Sequence, residues 1–137
     1  MSRLSRSGEV RVRYMLAKGR YRAGAADTAQ EVAAAQALRH LCFHGGAGRD
    51  ADRFDADCTH ILVEEVQTGA LVCCFRLLPL SGGAEIARSY SAQFYDLAAL
   101  ERFAGPMVEM GRFCIHPDRS DADILRVAWG ATTAYVD

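Results

Sequence analysis

The run "MVEMGRFCI" reads as a buried strand, yet it carries two ionisable side chains, Glu109 and Arg112. A third, Arg76, interrupts the apolar run "ALVCCFRLLPL". An unpaired charge inside a sheet is costly, so each of these groups needs a counter-ion. The plainest arrangement pairs Arg76 with a carboxylate such as Glu109 and merely fixes the sheet. The alternative is a reaction centre. A carboxylate can take up a proton, arginines can hold an anionic group, and a freed backbone N–H can face a developing oxyanion. Glu109 and Arg112 stand three positions apart, so in a regular strand they face opposite sides. A bulge at Met110–Gly111 would turn them toward one face and leave an N–H free.

The second concentration of charge is the loop "RDADRFDAD", with Asp50, Asp52, Asp55 and Asp57 around Phe54. It reads either as a solvated loop or, with Phe54 as an aromatic anchor, as a segment held in one conformation. Five cysteines (42, 58, 73, 74 and 114) form no C-x-x-C pair, and the four histidines do not cluster with them. No metal-ligand set emerges, a disulfide framework is not expected, and most thiols are expected to be small buried hydrophobes. His116, ahead of Pro117, reads as incidental, and Phe94, Tyr95 and Trp129 as core.

The elements that must position these groups follow from periodicity. Residues 9–25 alternate loosely, giving one or two strands with a break at Lys18-Gly19. Thr28 and Glu31 make a T-x-x-E capping box that starts a helix running to about Phe43, with Ala29, Val32, Ala33, Gln36, Ala37 and Leu41 as its supporting residues. His44-Gly45-Gly46 ends it. "THILVEEV" and "ALVCCFRLLPL" form a hairpin across Gln67-Thr68-Gly69. In the second of these runs Val72, Cys74, Arg76 and Leu78 should share one face. "SAQFYDLAALERF" could form a short helix. A strand at 107–115 precedes a helix that starts near Ser120 or Asp121, with Ile124, Val127, Ala128, Ala131 and Tyr135 as its apolar stripe. The order predicts an α+β fold, a mainly antiparallel sheet flanked by helices.

With 137 residues the chain is sized for a single domain, and its net charge of -1 exerts no general pull on nucleic acid or anionic membrane. No run approaches a membrane span and "MSRLSRSGEV" lacks a secretory h-region, so a cytoplasmic location is expected.

The segments "AAAQALRHLCF", "DRFDADCTHILV", "LVCCFRLLPL", "SAQFYDL" and "VEMGRFCIHPDRSDADI" occur in the order seen in one branch of the GNAT acyltransferase superfamily. The chain resembles the acyl-carrier-protein-dependent N-acyltransferases that begin ornithine-lipid synthesis, and is more distantly similar to acyl-homoserine lactone synthases. The resemblance implies a GNAT-like fold whose C-terminal strands are absent, so that residues 1–137 form one partial domain that another copy could complete by self-association. It implies transfer of a (3-hydroxy)acyl group from acyl carrier protein to the α-amine of ornithine or a related amino acid. The other activities left open are an autoinducer synthase, a coenzyme A-dependent N-acetyltransferase and an inactive fragment.

Carried over residue by residue, the resemblance makes Glu109 the base, with Arg76 and Arg112 beside it in the catalytic set. It assigns Asp52, Asp55, Arg39 and Phe43 to the amine-substrate side. Gly111 and Phe113 would steady the oxyanion, and Arg119 and Arg126 would meet the phosphate of the donor's pantetheine. The superfamily's glycine-rich phosphate loop is here "RSDADI", with no glycine and two aspartates. That departure disfavours coenzyme A and suits carrier-bound pantetheine, with no cofactor held permanently. A lipid-like product implies peripheral contact with the inner membrane.

Overall fold

The computed structural model describes residues 13–137; the part of the predicted N-terminal strand at 9–12 lies outside them. Five strands form one antiparallel sheet in the order of the sequence: β1 Arg13–Lys18, β2 Tyr21–Ala25, β3 Thr59–Glu65, β4 Leu71–Leu80 and β5 Met107–Ile115. The helices α1 Ala29–Phe43 and α2 Ala122–Val136 cover its two faces. The predicted α+β architecture is therefore present, and β5 is an edge strand.

Local chemistry explains the boundaries. The Glu31 amide donates to Thr28 Oγ1 (3.1 Å) and the Thr28 amide donates to Glu31 Oε1 (3.0 Å), the reciprocal box that fixes the start of α1. Asp121 caps α2 by accepting from the Asp123 amide (3.0 Å). The α2 face of the sheet holds the larger core, where Ile124, Val127, Ala128 and Ala131 pack on Tyr21, Ile61, Val63, Val72, Phe75 and Leu77. On the other face Ala35 and Leu38 of α1 meet Leu62, Cys74 and Cys114. Three of the five thiols, Cys73, Cys74 and Cys114, are buried as expected, and all five are free.

Helix α1 runs to Phe43 as expected, and it buries polar residues together with apolar ones. Glu31, Ala35, Gln36, Leu38 and Arg39 are buried, whereas Ala37 is exposed, because the acidic loop beneath the helix draws Gln36 and Arg39 toward it. Val72 does not share a face with Cys74 and Arg76. The pairing slips between Val63 and Glu64, and the extra residue on β4 places Val72 in the α2-side core. Phe94, Tyr95 and Trp129 are exposed rather than core residues.

Residues 81–105 form no α-helix. They fold as three 3-10 turns, Gly83–Arg88, Ser91–Gln93 and Ala98–Leu100, packed over the β4–β5 end of the sheet. The insert closes on itself at Gly83, whose amide donates to the Phe103 carbonyl (2.8 Å). A Cβ there would lie 1.9 Å from the Leu100 carbonyl oxygen, so the approach requires glycine.

Candidate active site

The bulge in β5 decides which charged groups meet. Cys114 pairs with Cys74 and Gly111 with Arg76, so Arg112 and Phe113 together oppose the single residue Phe75. The bulge thus lies at Arg112–Phe113, not at Met110–Gly111 as the glycine suggested. Arg112 absorbs it with φ +50, a left-handed conformation unusual for a side chain larger than glycine. Strand parity changes at this point. Arg112 reaches the same side as Glu109, toward the acidic loop, while Phe113 points to the opposite face and stacks on Phe75 (centroids 5.6 Å apart).

On the loop side, three arginines and three aspartates interlock. Asp55, at the start of the short turn Asp55–Asp57, receives Arg39 through Nη1 (2.8 Å) and Nη2 (3.2 Å), Arg76 through Nη1 (2.8 Å), and Gln36 through Nε2 (3.0 Å). Asp52 takes a forked pair from Arg76 (2.6 and 3.0 Å) and a further bond from Arg112 (3.3 Å). Asp50 takes Arg39 Nε (3.0 Å) and lies 3.4 Å from Arg112 Nε. His60 donates from Nε2 to the Asp55 carbonyl (2.9 Å), tying the loop to β3. Phe54 is buried among Leu78, Leu80 and Ile86, edge-on to Tyr90, which anchors the loop in one conformation.

The electrostatics follow from that crowding. Burial alone would raise the Asp55 carboxyl, but the hydrogen bonds from Arg39 and then Arg76 and Gln36 hold it well below the usual carboxylate range. Asp52 is held down against the same effect of burial, chiefly by Arg76. Burial pulls on Arg76 too, yet its aspartates keep it firmly charged. Removing either sign would leave the other stranded in low dielectric, so the network stands or falls together.

Glu109 stands apart from it. Its carboxylate accepts the Tyr90 amide (2.8 Å) and the Ser91 amide (3.0 Å), both from the insert. Arg76 therefore pairs with Asp52 and Asp55, not with Glu109. Glu109 and Arg76 instead line a cavity of about 40 Å³, walled by Phe54, Cys58, Tyr90 and Gly111, with room for one or two waters. The Arg76 and Arg112 guanidinium carbons also lie 5.6 and 5.2 Å from the Tyr90 ring centre.

Of the residues named from the sequence, the structure gathers Arg39, Asp52, Asp55, Arg76, Glu109, Gly111 and Arg112 into this corner. Asp52 and Asp55 are engaged by arginines and do not line the cavity, so they do not offer a free negative charge to a substrate amine. Phe43, at the end of α1, is exposed. Phe113 packs in the opposite core. Arg119 is paired with Glu65 (3.1 Å) and Arg126 with Asp123, at the far end of β5 and on α2. Asp50, Gln36, Tyr90 and Ser91 were not singled out as site residues. Asp50 had a signal, the D-x-D-x-x-D spacing of the loop; the two amides had none.

The described residues thus form an α+β domain, a five-stranded antiparallel sheet with a helix on each face and a carboxylate held on its bulged fifth strand. Residues 41–130 match the acetyltransferase (GNAT) domain, and the chain belongs to that family. It is similar to the L-ornithine N(alpha)-acyltransferase of Rhodobacter capsulatus, 34% identical over 124 residues, 79% of this chain and 48% of the relative. It is also similar to the proteins of the same name from Brucella abortus (29% over 129 residues, 80% and 46%) and Rhizobium meliloti (29% over 128 residues, 80% and 43%). The chain spans about half the length of the curated relatives it matches. No solved structure matches it significantly. Among the described residues, no helix is long and apolar enough to cross a membrane.

Proposed function

We propose that the chain serves Nα-acylation of ornithine or a related amino acid, with a (3-hydroxy)acyl group supplied as a thioester on acyl carrier protein. The observation that carries this reading is the position of Glu109. It is fixed by two amides and faces Arg76 across a cavity the size of one or two waters. The neutral amine attacks the thioester carbonyl, the N–C bond forms and the C–S bond breaks. The amine proton passes to Glu109, directly or through a water, and then to the departing pantetheine sulfur. The disturbed ladder at Arg112–Phe113 is suited to offering a backbone N–H to the oxyanion. An arginine, Arg76 or the less buried Arg112, would meet the acceptor's carboxylate, with the loop aspartates holding its guanidinium in place.

The names of the relatives support the acceptor. The choice of carrier protein over coenzyme A is supported by the start of α2. Asp121 already fills it, capping the Asp123 amide and accepting from Tyr21 (3.0 Å) and Arg20, so a pyrophosphate would meet an occupied and negative helix end. Arginines not committed to the buried network would dock the acidic carrier.

Glu109→Gln in the complete acyltransferase tests the mechanism, with ornithine and 3-hydroxyacyl carrier protein as substrates. Turnover should fall by about 100-fold or more with KM little changed. Normal turnover would remove Glu109 as the base.

A further inference from the structure

Tyr90 meets the charged groups of the site through two separate parts. Its backbone amide donates to Glu109 Oε1 (2.8 Å), whereas its ring stands against the arginines. The Arg76 guanidinium carbon lies 5.6 Å from the ring centre and that of Arg112 5.2 Å. Both are within the roughly 6 Å over which an aromatic face attracts a cation. The ring is itself set edge-on against the buried Phe54, with centroids 5.4 Å apart, and it walls the small cavity beside Glu109.

The two arginines differ in how much they need that ring. Arg76 donates to Asp52 and Asp55 over 2.6 to 3.0 Å, and its side chain is 4% exposed. The aspartates suffice to fix it. Arg112 is held by a longer bond, 3.3 Å to Asp52, and its side chain is 27% exposed. Its Nε is buried 3.4 Å from Asp50 and makes no hydrogen bond. A guanidinium held so loosely can turn on its stem unless a neighbour restrains it.

We propose that Tyr90 is a positioning residue, whose ring holds the Arg112 guanidinium in the orientation that receives the acceptor's carboxylate. This rests on the acyltransferase reading and adds to it the residue that fixes the acceptor's anionic end. A carboxylate binds a guanidinium through parallel N–H bonds in one plane, so orientation matters as much as charge. An aromatic ring attracts the cation without consuming its N–H groups, which stay available to a ligand. Another aspartate in the same place would use them up.

The test uses the complete enzyme with 3-hydroxyacyl carrier protein and two acceptors, ornithine and 1,4-diaminobutane, which is ornithine without its carboxylate. Tyr90→Leu keeps the amide and an apolar side chain but removes the ring. It should raise the KM for ornithine about tenfold, with kcat within about twofold of the native value. Tyr90→Phe keeps the aromatic face and should return KM to within about twofold. With diaminobutane, Tyr90→Leu should leave kcat/KM where it is in Tyr90→Phe. Pentafluorophenylalanine at position 90 keeps the shape and reverses the charge of the ring face. It should raise the ornithine KM as Tyr90→Leu does, and it decides alone if Tyr90→Leu does not fold.

An ornithine KM unmoved by loss of the aromatic face overturns the proposal, and so does an equal loss with diaminobutane. A fall in kcat at constant KM also overturns it, because the side chain would then act through the insert and Glu109. Failure of Tyr90→Phe to restore KM does the same. Ornithine acylation with one KM shared by all the variants removes the ring assignment and leaves the acyltransferase reading standing. If the native enzyme acylates neither acceptor, that reading falls, and calorimetric binding of ornithine decides for the ring. Binding about tenfold weaker in Tyr90→Leu and recovered in Tyr90→Phe upholds the assignment, and equal affinities overturn it.

Discussion

Asp55→Asn is the sharpest perturbation of the buried network, because it keeps the shape and removes one charge from between two arginines. Breaking a buried ion pair from one side costs about 3–5 kcal/mol. Here Asp50 still holds Arg39 and Asp52 still holds Arg76, which places the expected loss near 3 kcal/mol at neutral pH. With a urea slope near 2 kcal/mol/M, the midpoint should fall by about 1.5 M. The pH dependence supplies a second check. The folded carboxyl is depressed, so its contribution is complete above the unfolded value of about 3.9 and is lost as pH falls through the folded value. At pH 3 the unfolded aspartate has largely taken up its proton while the folded one has not. The native protein has then given up about 1.3 kcal/mol of this contribution. The amide of the variant has nothing to titrate, so the difference between the two proteins should shrink from about 3 to under about 2 kcal/mol between pH 7 and pH 3. The other carboxylates titrate in both proteins and largely cancel. A difference below about 1 kcal/mol at pH 7, or one that does not change with pH, would refute the network as a stabilising element.

Two further outcomes follow from the same packing. Gly83→Ala would drive a methyl group to 1.9 Å from the Leu100 carbonyl oxygen, and should cost about 2–3 kcal/mol in thermal unfolding. Because the insert also presents the Tyr90 and Ser91 amides to Glu109, acylation should fall with it; a neutral substitution would show that the turns can separate freely. The half-buried thiols should be slow to alkylate. Burial pushes Cys58 up to about 11 despite the nearby Arg76, and Cys42 to about 12. At pH 8.5 only about one Cys58 in 300 is a thiolate, against about half of free cysteines. Iodoacetamide labelling followed by mass spectrometry should therefore be at least about 100-fold slower in the native protein than in urea, and fast native labelling of Cys58 would contradict that burial.

Local signals located most of the fold. The T-x-x-E box, the two apolar runs around Gln67-Thr68-Gly69 and the aspartate before Ala122 each act over a few residues, and each specified its element closely. Charge in an apolar strand likewise pointed to Arg76, Glu109 and Arg112, because a buried charge demands a partner. The partners were less legible. Arg76 takes Asp52 and Asp55 rather than Glu109 because the loop, anchored by Phe54, arrives over β4 from a distance in sequence. The bulge was expected at Gly111, the residue most tolerant of it. The left-handed conformation falls on Arg112 instead, where Asp50 and Asp52 hold the side chain that the strained backbone presents. The amides that hold Glu109 were beyond sequence reasoning, since every residue but proline has one. The inward face of α1 is likewise set by what lies beneath it, since Gln36 and Arg39 are buried against the acidic loop.

The six formal charges of the network, three arginines and three aspartates, sum to zero. Opposite signs lie within about 3 Å of one another, so their fields cancel over a distance shorter than the ~8 Å screening length of physiological salt. Such a cluster is intensely polar at contact and nearly silent from outside. It cannot draw a zwitterionic amino acid or a charged carrier across solution, as a basic funnel would. Recognition at this corner is therefore a matter of touch, and any long-range attraction must originate elsewhere on the surface.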